Sequence, residues 1–214
     1  MSDSVRAILT GLAHPFKWLS SKQNRARIRG ARVEVIACIV CRNPSPSILL
    51  GQSPYHMMWM PPQEGVTIKE TLQQALRRCL QVECGIPVPV NPSHQSKKLH
   101  FRSLKFLGEV ALPAERRGER PIADDAHGTW LESITLKRKA YWMATILVAN
   151  RDDVAPKPDG RELLAFRWYS LPEARQVIRE TNHAEKAKLL LRLLDACDRD
   201  LRGATRNVLT DSKR

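Results

Sequence analysis

No apolar run in this sequence approaches the ~20 residues that a membrane-spanning helix requires, so a protein crossing a bilayer by helices is excluded. Cysteine is sparse and odd in number: five in 214 residues, scattered through periodic segments. That pattern is not a disulfide framework and points to a reducing compartment. The first residues lack a long apolar core followed by a small-residue cleavage site, and a cytoplasmic location is expected. No internal repeat, low-complexity block or helix-turn-helix pattern is present. Acidic residues are the scarce charge, 22 against 35 lysines and arginines, giving a net charge of +13. So basic a surface attracts phosphate, whether in nucleotides, nucleic acid or anionic lipid, and the attraction falls with salt. Charge of this kind supplies affinity without specificity.

What is present suffices for one core, with a terminal extension. Residues 4–19 place Val5, Ile8, Leu9, Leu12, Phe16 and Leu19 at helical spacing around Pro15. The following stretch carries Lys22, Arg25, Arg27, Arg29 and Arg32 with no acidic residue, and reads as a solvated basic linker. Residues 31–41 are almost wholly apolar after Glu34, as expected for a strand buried on both faces. Cys38 and Cys41 form a C-x-x-C inside it, but residues three apart on a strand point to opposite faces, and buried thiols are the expectation. Further strands are predicted at 47–51, 101–112 and 140–149, and a final helix over 184–201. Residues 113–139 read as a long charged insertion bearing Arg116, Arg117, Arg120, Asp124 and Asp125. Residues 203–214 have few apolar groups and are expected to form a flexible tail.

The most informative stretch is 59–86, WMPPQEGVTIKETLQQALRRCLQVECGI. Trp59, Met60, Pro61 and Pro62 cannot open a helix cleanly, because each proline lacks an N–H and biases its predecessor toward extended backbone. From Lys69 onward Leu72, Ala75, Leu76, Cys79, Leu80 and Glu83 fall at helical spacings, and Gly85 is placed to stop the helix. The stretch resembles the Nudix box, G-x5-E-x7-R-E-U-x-E-E-x-G-U with U aliphatic. Glu70, Arg78, Leu80, Glu83, Gly85 and Ile86 match the pattern, while Glu64, Cys79 and Val82 depart from it. Glu162, Trp168 and the Leu171–Ala174 helix entry resemble a second family feature, so the likeness runs from about residue 31 to 180.

The resemblance implies an α/β fold: a Nudix-like α/β/α sandwich with a mixed sheet flanked by helices. It also implies a division into a basic amphipathic extension (1–30), a Nudix-like domain with its C-terminal helix (31–202) and the tail (203–214). In the family three glutamates of the box hold a divalent cation, Mg2+ or Mn2+. Here Cys79 and Val82 replace two of them; thiolate is a poor ligand for magnesium and valine is none. On an unbroken α-helix Cys79, Val82 and Glu83 share one face. A replacement metal set of Glu83, Glu64 and Glu162 is expected, with Glu83, Glu64 and Glu70 as catalytic candidates and Asp124 or Asp125 as further donors. Glu70 and Arg78, eight residues apart, resemble the pair that braces loop against helix.

The expected activity is therefore a divalent-metal-dependent hydrolysis of a nucleoside diphosphate-X linkage, in a nucleotide or an RNA 5′-end, at an altered and weakened site. Arg78, Arg116, Arg117, Arg138 and Trp59 are the substrate-binding candidates. The alternative is a catalytically inactive module that binds nucleotide, RNA or a protein partner. Its phosphate contacts would come from Arg25, Arg27, Arg29, Arg116, Arg117, Lys137, Arg138 and Lys139, and Trp59, Trp142 or Trp168 would stack on bases. A protein partner or a second copy of the chain is expected to dock on the amphipathic N-terminus or the C-terminal helix.

Overall fold

The computed structural model of the chain describes residues 22–54, 57–67, 70–88, 99–111 and 137–211. The amphipathic segment 4–19, the insertion with Arg116, Arg117, Asp124 and Asp125, and the end of the tail lie outside the described residues. The described elements are α1 (Lys22–Ile28), β1 (Ala31–Asn43), β2 (Ser47–Gln52), β3 (Trp59–Met60), β4 (Gln63–Gly65), α2 (Leu72–Arg78), β5 (Leu99–Ala111), β6 (Arg138–Asn150), β7 (Ala165–Ser170), α3 (Leu171–Thr181) and α4 (Ala184–Asp211).

The strands form one mixed sheet with a main path β3-β2-β1-β6-β5. β1 runs parallel to β6 over nearly its whole length, Ala31 opposite Arg138 through Asn43 opposite Asn150, and the other pairings are antiparallel. β1 is buried on both faces apart from Arg32 and its last two residues, which is why it reads as a continuous apolar run. Val33, Val35, Ala37, Ile39 and Cys41 pack with Leu76, Cys79 and Leu80 of the α2 segment. Ile36, Cys38 and Val40 face the opposite core with Ile178 of α3 and Leu190, Leu193 and Leu194 of α4. The expected α/β sandwich is thus observed, and Cys38 and Cys41 point to opposite cores as buried free thiols.

Two expectations about the ends are corrected. The basic stretch after residue 21 is not a solvated linker: it forms α1, with Ala26 and Arg27 buried. The Arg27 guanidinium donates to the carbonyls of Val66 (2.9 Å) and Thr67 (2.7 Å) and to Asn24 Oδ1 (2.8 Å), so its charge serves the fold and is not offered to phosphate. Burial lowers its pKa to about 10 despite the nearby Glu70 carboxylate. At the other end α4 continues to Asp211 and not to a stop near 201, because no proline interrupts the helix-forming run.

The sheet forks where it matters. β1 pairs with β2 at Val40 and Cys41 but with β4 at Glu34, Val35 and Ile36, so β2 and β4 part along the same edge. Pro62 and Val66 extend the β4 ladder through hydrogen bonds with Ala37 and Val33. The proline-rich stretch is therefore extended chain on β1. α2 begins at Leu72, three residues later than its periodicity suggests, because Thr71 caps it and Gln74 completes a capping box.

Candidate active site

The fork opens a cleft of about 180 Å³ lined by Glu34, Glu64, Glu83, Glu162, Arg32 and Lys139, with Met60, Pro61, Gln63 and Leu163 on its walls. Each acidic side chain arrives from a different element. Glu64 lies on β4 opposite Val35, and therefore on the α2 side of the sheet. Glu83 ends a π-helical turn, Cys79–Glu83, that continues α2. Glu162 sits in the loop before β7, where Asp159 Oδ1 accepts the N–H groups of Arg161, Glu162 and Leu163 at 2.9–3.0 Å and fixes the turn. The Lys157 N–H donates to Cys84 O at 2.8 Å and ties that loop to the end of the helix.

Glu83 is the most perturbed member. It is 3% exposed, and its Oε1 has no hydrogen-bond partner. Burial, then the negative charges of Glu64 and Glu162, push its pKa up to about 10, so it is a neutral acid at pH 7. Cys79 Sγ lies 3.6 Å from its other oxygen. The Glu162 carboxyl is also raised, by loss of hydration and then by Glu64. Glu64, Glu83 and Glu162 all line this one cleft. The shared-face expectation fails: the wider π turn leaves Val82 61% exposed while Cys79 and Glu83 face inward.

Glu70 and Arg78 form the expected brace. Arg78 Nε and Nη2 donate to the two Glu70 oxygens at 3.1 and 2.8 Å, Nη2 donates to Gly65 O at 2.7 Å, and Nη1 pairs with Glu64 Oε2 at 2.7 Å. The guanidinium is thus engaged by its own chain. Glu70 also accepts from the Thr67 N–H at 3.2 Å. Burial opposes its ionisation, but Arg78 and Thr67 outweigh burial and hold it below the ordinary carboxylate range. Glu70 is not among the residues that line the cleft, and it braces the loop against the helix. Gly85 closes the motif with φ +60°, and the Ile86 N–H returns to Leu80 O at 2.8 Å.

Other candidates fall elsewhere. Trp59 meets the edge of Tyr169 at 5.5 Å and is fixed through its backbone by Thr181 and Asn182, outside the cleft lining. Arg138 pairs with Glu109 at 2.9 Å, whereas its neighbour Lys139 faces the cleft. Trp142 is buried and Trp168 packs against the α2-side core.

Beneath the cleft lies an ionic group that the sequence reading missed. Glu34 is 2% exposed and bridges Lys139 (2.6 Å) and Arg32 (3.2 Å). Burial opposes its ionisation, but these cations and Lys186 prevail, and its pKa is lowered. Lys186, from α4, donates to Gln63 Oε1 at 2.6 Å and lies 4.1 Å from the centre of the Tyr141 ring. Burial lowers its pKa to about 7, with Glu34 opposing the shift. A lone carboxylate inside the apolar run of β1 was the available signal for this group, since a buried charge requires a partner.

The donor chemistry fits a hard divalent cation, which prefers carboxylate oxygen, and one Glu83 oxygen is buried without a hydrogen-bond partner. Among the described residues no three such side chains stand in a finished coordination arrangement. Glu64 is turned toward Arg78 and the Gly65 N–H (2.8 Å), so binding an ion requires it to turn.

A family model described as the NUDIX domain matches residues 31–193, and the chain belongs to that family. Its enzymes generally use divalent metal. Among solved structures, the E. coli dihydroneopterin triphosphate pyrophosphohydrolase is 15% identical with a TM-score of 0.51, over 78% of this chain and 98% of that one. A C. elegans Ap4A hydrolase is 20% identical with a TM-score of 0.47, over 76% and 95%. The NUDIX domain of Shewanella oneidensis NrtR, complexed with ADP ribose, is 16% identical with a TM-score of 0.49, over 86% and 97%. Identities this low speak to fold alone. No curated protein matches the chain. No described helix is long and apolar enough to cross a membrane.

Proposed function

We propose that the chain is a divalent-metal-dependent hydrolase of nucleoside diphosphate-X linkages whose metal ligands are Glu64, Glu83 and Glu162. The observation that carries this reading is Glu83, a buried carboxyl with an unpartnered oxygen, lining one cleft with Glu64 and Glu162. A divalent cation bound among these carboxylates would displace the Glu83 proton, so its affinity should rise with pH. Bound Mg2+ or Mn2+ would neutralise phosphate oxygens and make water more acidic. The chain's own residues bind and orient. Arg32 and Lys139 face the phosphates from the cleft wall, Glu34 and Lys186 set their positions from beneath, and Arg78 holds Glu64 and the Gly65 loop against α2. Cys79 supplies no hard oxygen, and the site is correspondingly weak.

The test is a panel of nucleoside diphosphate derivatives and 5′-phosphorylated RNA with Mg2+ or Mn2+. Turnover is expected, and it should fall at least a hundredfold in Glu83→Gln and more than tenfold in Glu162→Gln. No turnover in any condition overturns the reading. A second reading rests on the buried Cys79 and the solvent-facing Val82, which leave Glu83 as the sole acidic side chain of the former ligand face. On that reading the cleft binds nucleotide without cleaving it. Tight binding insensitive to both metal and Glu83→Gln would establish it.

A further inference from the structure

A second hollow, of about 150 Å³, lies between α1 and the outer strands β5 and β6. Its wall is the Phe106 ring, 46% exposed and held 4.9 Å from the buried Trp142 ring at an interplanar angle of 57°. Phe106 and Trp142 face each other directly in the β5–β6 register, so the exposed ring is fixed in place. Above it stand Lys22 and Arg25, exposed and paired with no acidic side chain among the described residues. Among the described residues the one carboxylate on the rim, Glu109, is neutralised twice, by Arg29 and by Arg138, each at 2.9 Å.

We infer that this hollow binds one nucleotide of a single-stranded nucleic acid, its base on the Phe106 ring and its phosphate between Lys22 and Arg25. A partly exposed aromatic ring packed on a second ring, with adjacent cations, is the arrangement that stacks an unpaired base of any identity. An acidic peptide would satisfy the cations and leave the ring without a flat partner. A strand is favoured over a free nucleotide because the cations continue around the end of the sheet. Ala31 lies opposite Arg138, and Arg32 opposite Lys139, so Arg29 and Arg138 at the hollow are followed directly by Arg32 and Lys139 at the cleft. Along this path Lys22, Arg25, Arg29, Arg138, Arg32 and Lys139 lead past Glu109 and Glu34 to the cleft, where Glu64, Glu83 and Glu162 also stand. The site does not depend on the cleft's chemistry.

The experiment is fluorescence anisotropy of a labelled single-stranded RNA dodecamer across a salt series, with the full chain in a Glu83→Gln background that prevents cleavage. Phe106→Leu keeps the apolar volume and should weaken binding about tenfold, and Phe106→Tyr should restore it. The Lys22→Ala/Arg25→Ala pair should weaken binding and flatten the slope of log affinity against log salt by roughly 1.4. A duplex of the same sequence should bind without dependence on Phe106. Unchanged affinity in Phe106→Leu, or equal loss for the duplex, overturns the inference. So does a stronger dependence on Phe106 for anionic lipid vesicles than for RNA, which would assign the surface to membrane.

Discussion

Replacing Glu83 with glutamine should make the protein more stable, and by an amount that grows with pH. Glu83 is buried with a pKa of about 10, against about 4.3 in the unfolded chain. Between those values the folded state binds a proton that the unfolded state releases, so the Glu83 contribution to stability is fully present below about pH 4.3 and is lost as pH rises toward 10. Glutamine mimics the neutral acid and loses nothing. At pH 7, about 2.7 units above the unfolded pKa, the difference is at most roughly 4 kcal/mol at about 1.4 kcal/mol per unit. Water entering the cleft reduces it, and about 2 to 4 kcal/mol is the working expectation. Urea unfolding of both proteins at pH 4.5, 6, 7 and 8 measures it. The curves should coincide at the lowest pH and separate steadily above it. A glutamine variant that is equally or less stable at pH 8 would refute the crowded-carboxyl account of the site.

Lys186 carries the opposite sign: its pKa of about 7 lies below the unfolded value, so its contribution to stability rises from pH 7 to 10. Wild-type stability should therefore vary little over that window, whereas Lys186→Met should lose stability with rising pH when followed by urea unfolding. Glu34→Ala strands Lys139 and Lys186 beside a buried gap and should cost about 3 kcal/mol in the same assay. Arg78→Ala leaves Glu64 and Glu70 facing each other without their cation; given the partial exposure of the arginine, about 2 kcal/mol is expected, shrinking below pH 4 as Glu70 protonates. Gly85→Ala places a Cβ 3.1 Å from that of Lys157 at φ +60° and should lower the melting temperature by several degrees, from a cost of about 1–2 kcal/mol.

What the sequence disclosed was local or carried by the box pattern. The buried strand around Val35 and Ile39 was visible from its apolar run, and the Glu70–Arg78 brace from its spacing. The convergence of Glu64, Glu83 and Glu162 was expected on chemical grounds, and it depends on the Asp159 turn and the β2/β4 fork, which spacing does not encode. Val82 was misplaced because helical periodicity assumes a constant pitch, and the turn between Cys79 and Glu83 widens it, with Cys84 N–H bonding back to Cys79 O at 3.3 Å. Arg27 was misread because a guanidinium among other basic residues resembles solvated surface unless its carbonyl partners, 39 and 40 residues away, are known. The Glu34–Lys186 group escaped for the same reason: its members come from opposite ends of the chain.

The central claim is that Glu64, Glu83 and Glu162 together hold a divalent cation. Anomalous diffraction from crystals soaked in Mn2+ at pH 8 tests it most directly. The account predicts a single strong peak within coordinating distance of all three carboxyl groups, absent in Glu83→Gln. A peak elsewhere, or none in crystals of protein that turns over substrate in solution, would contradict it.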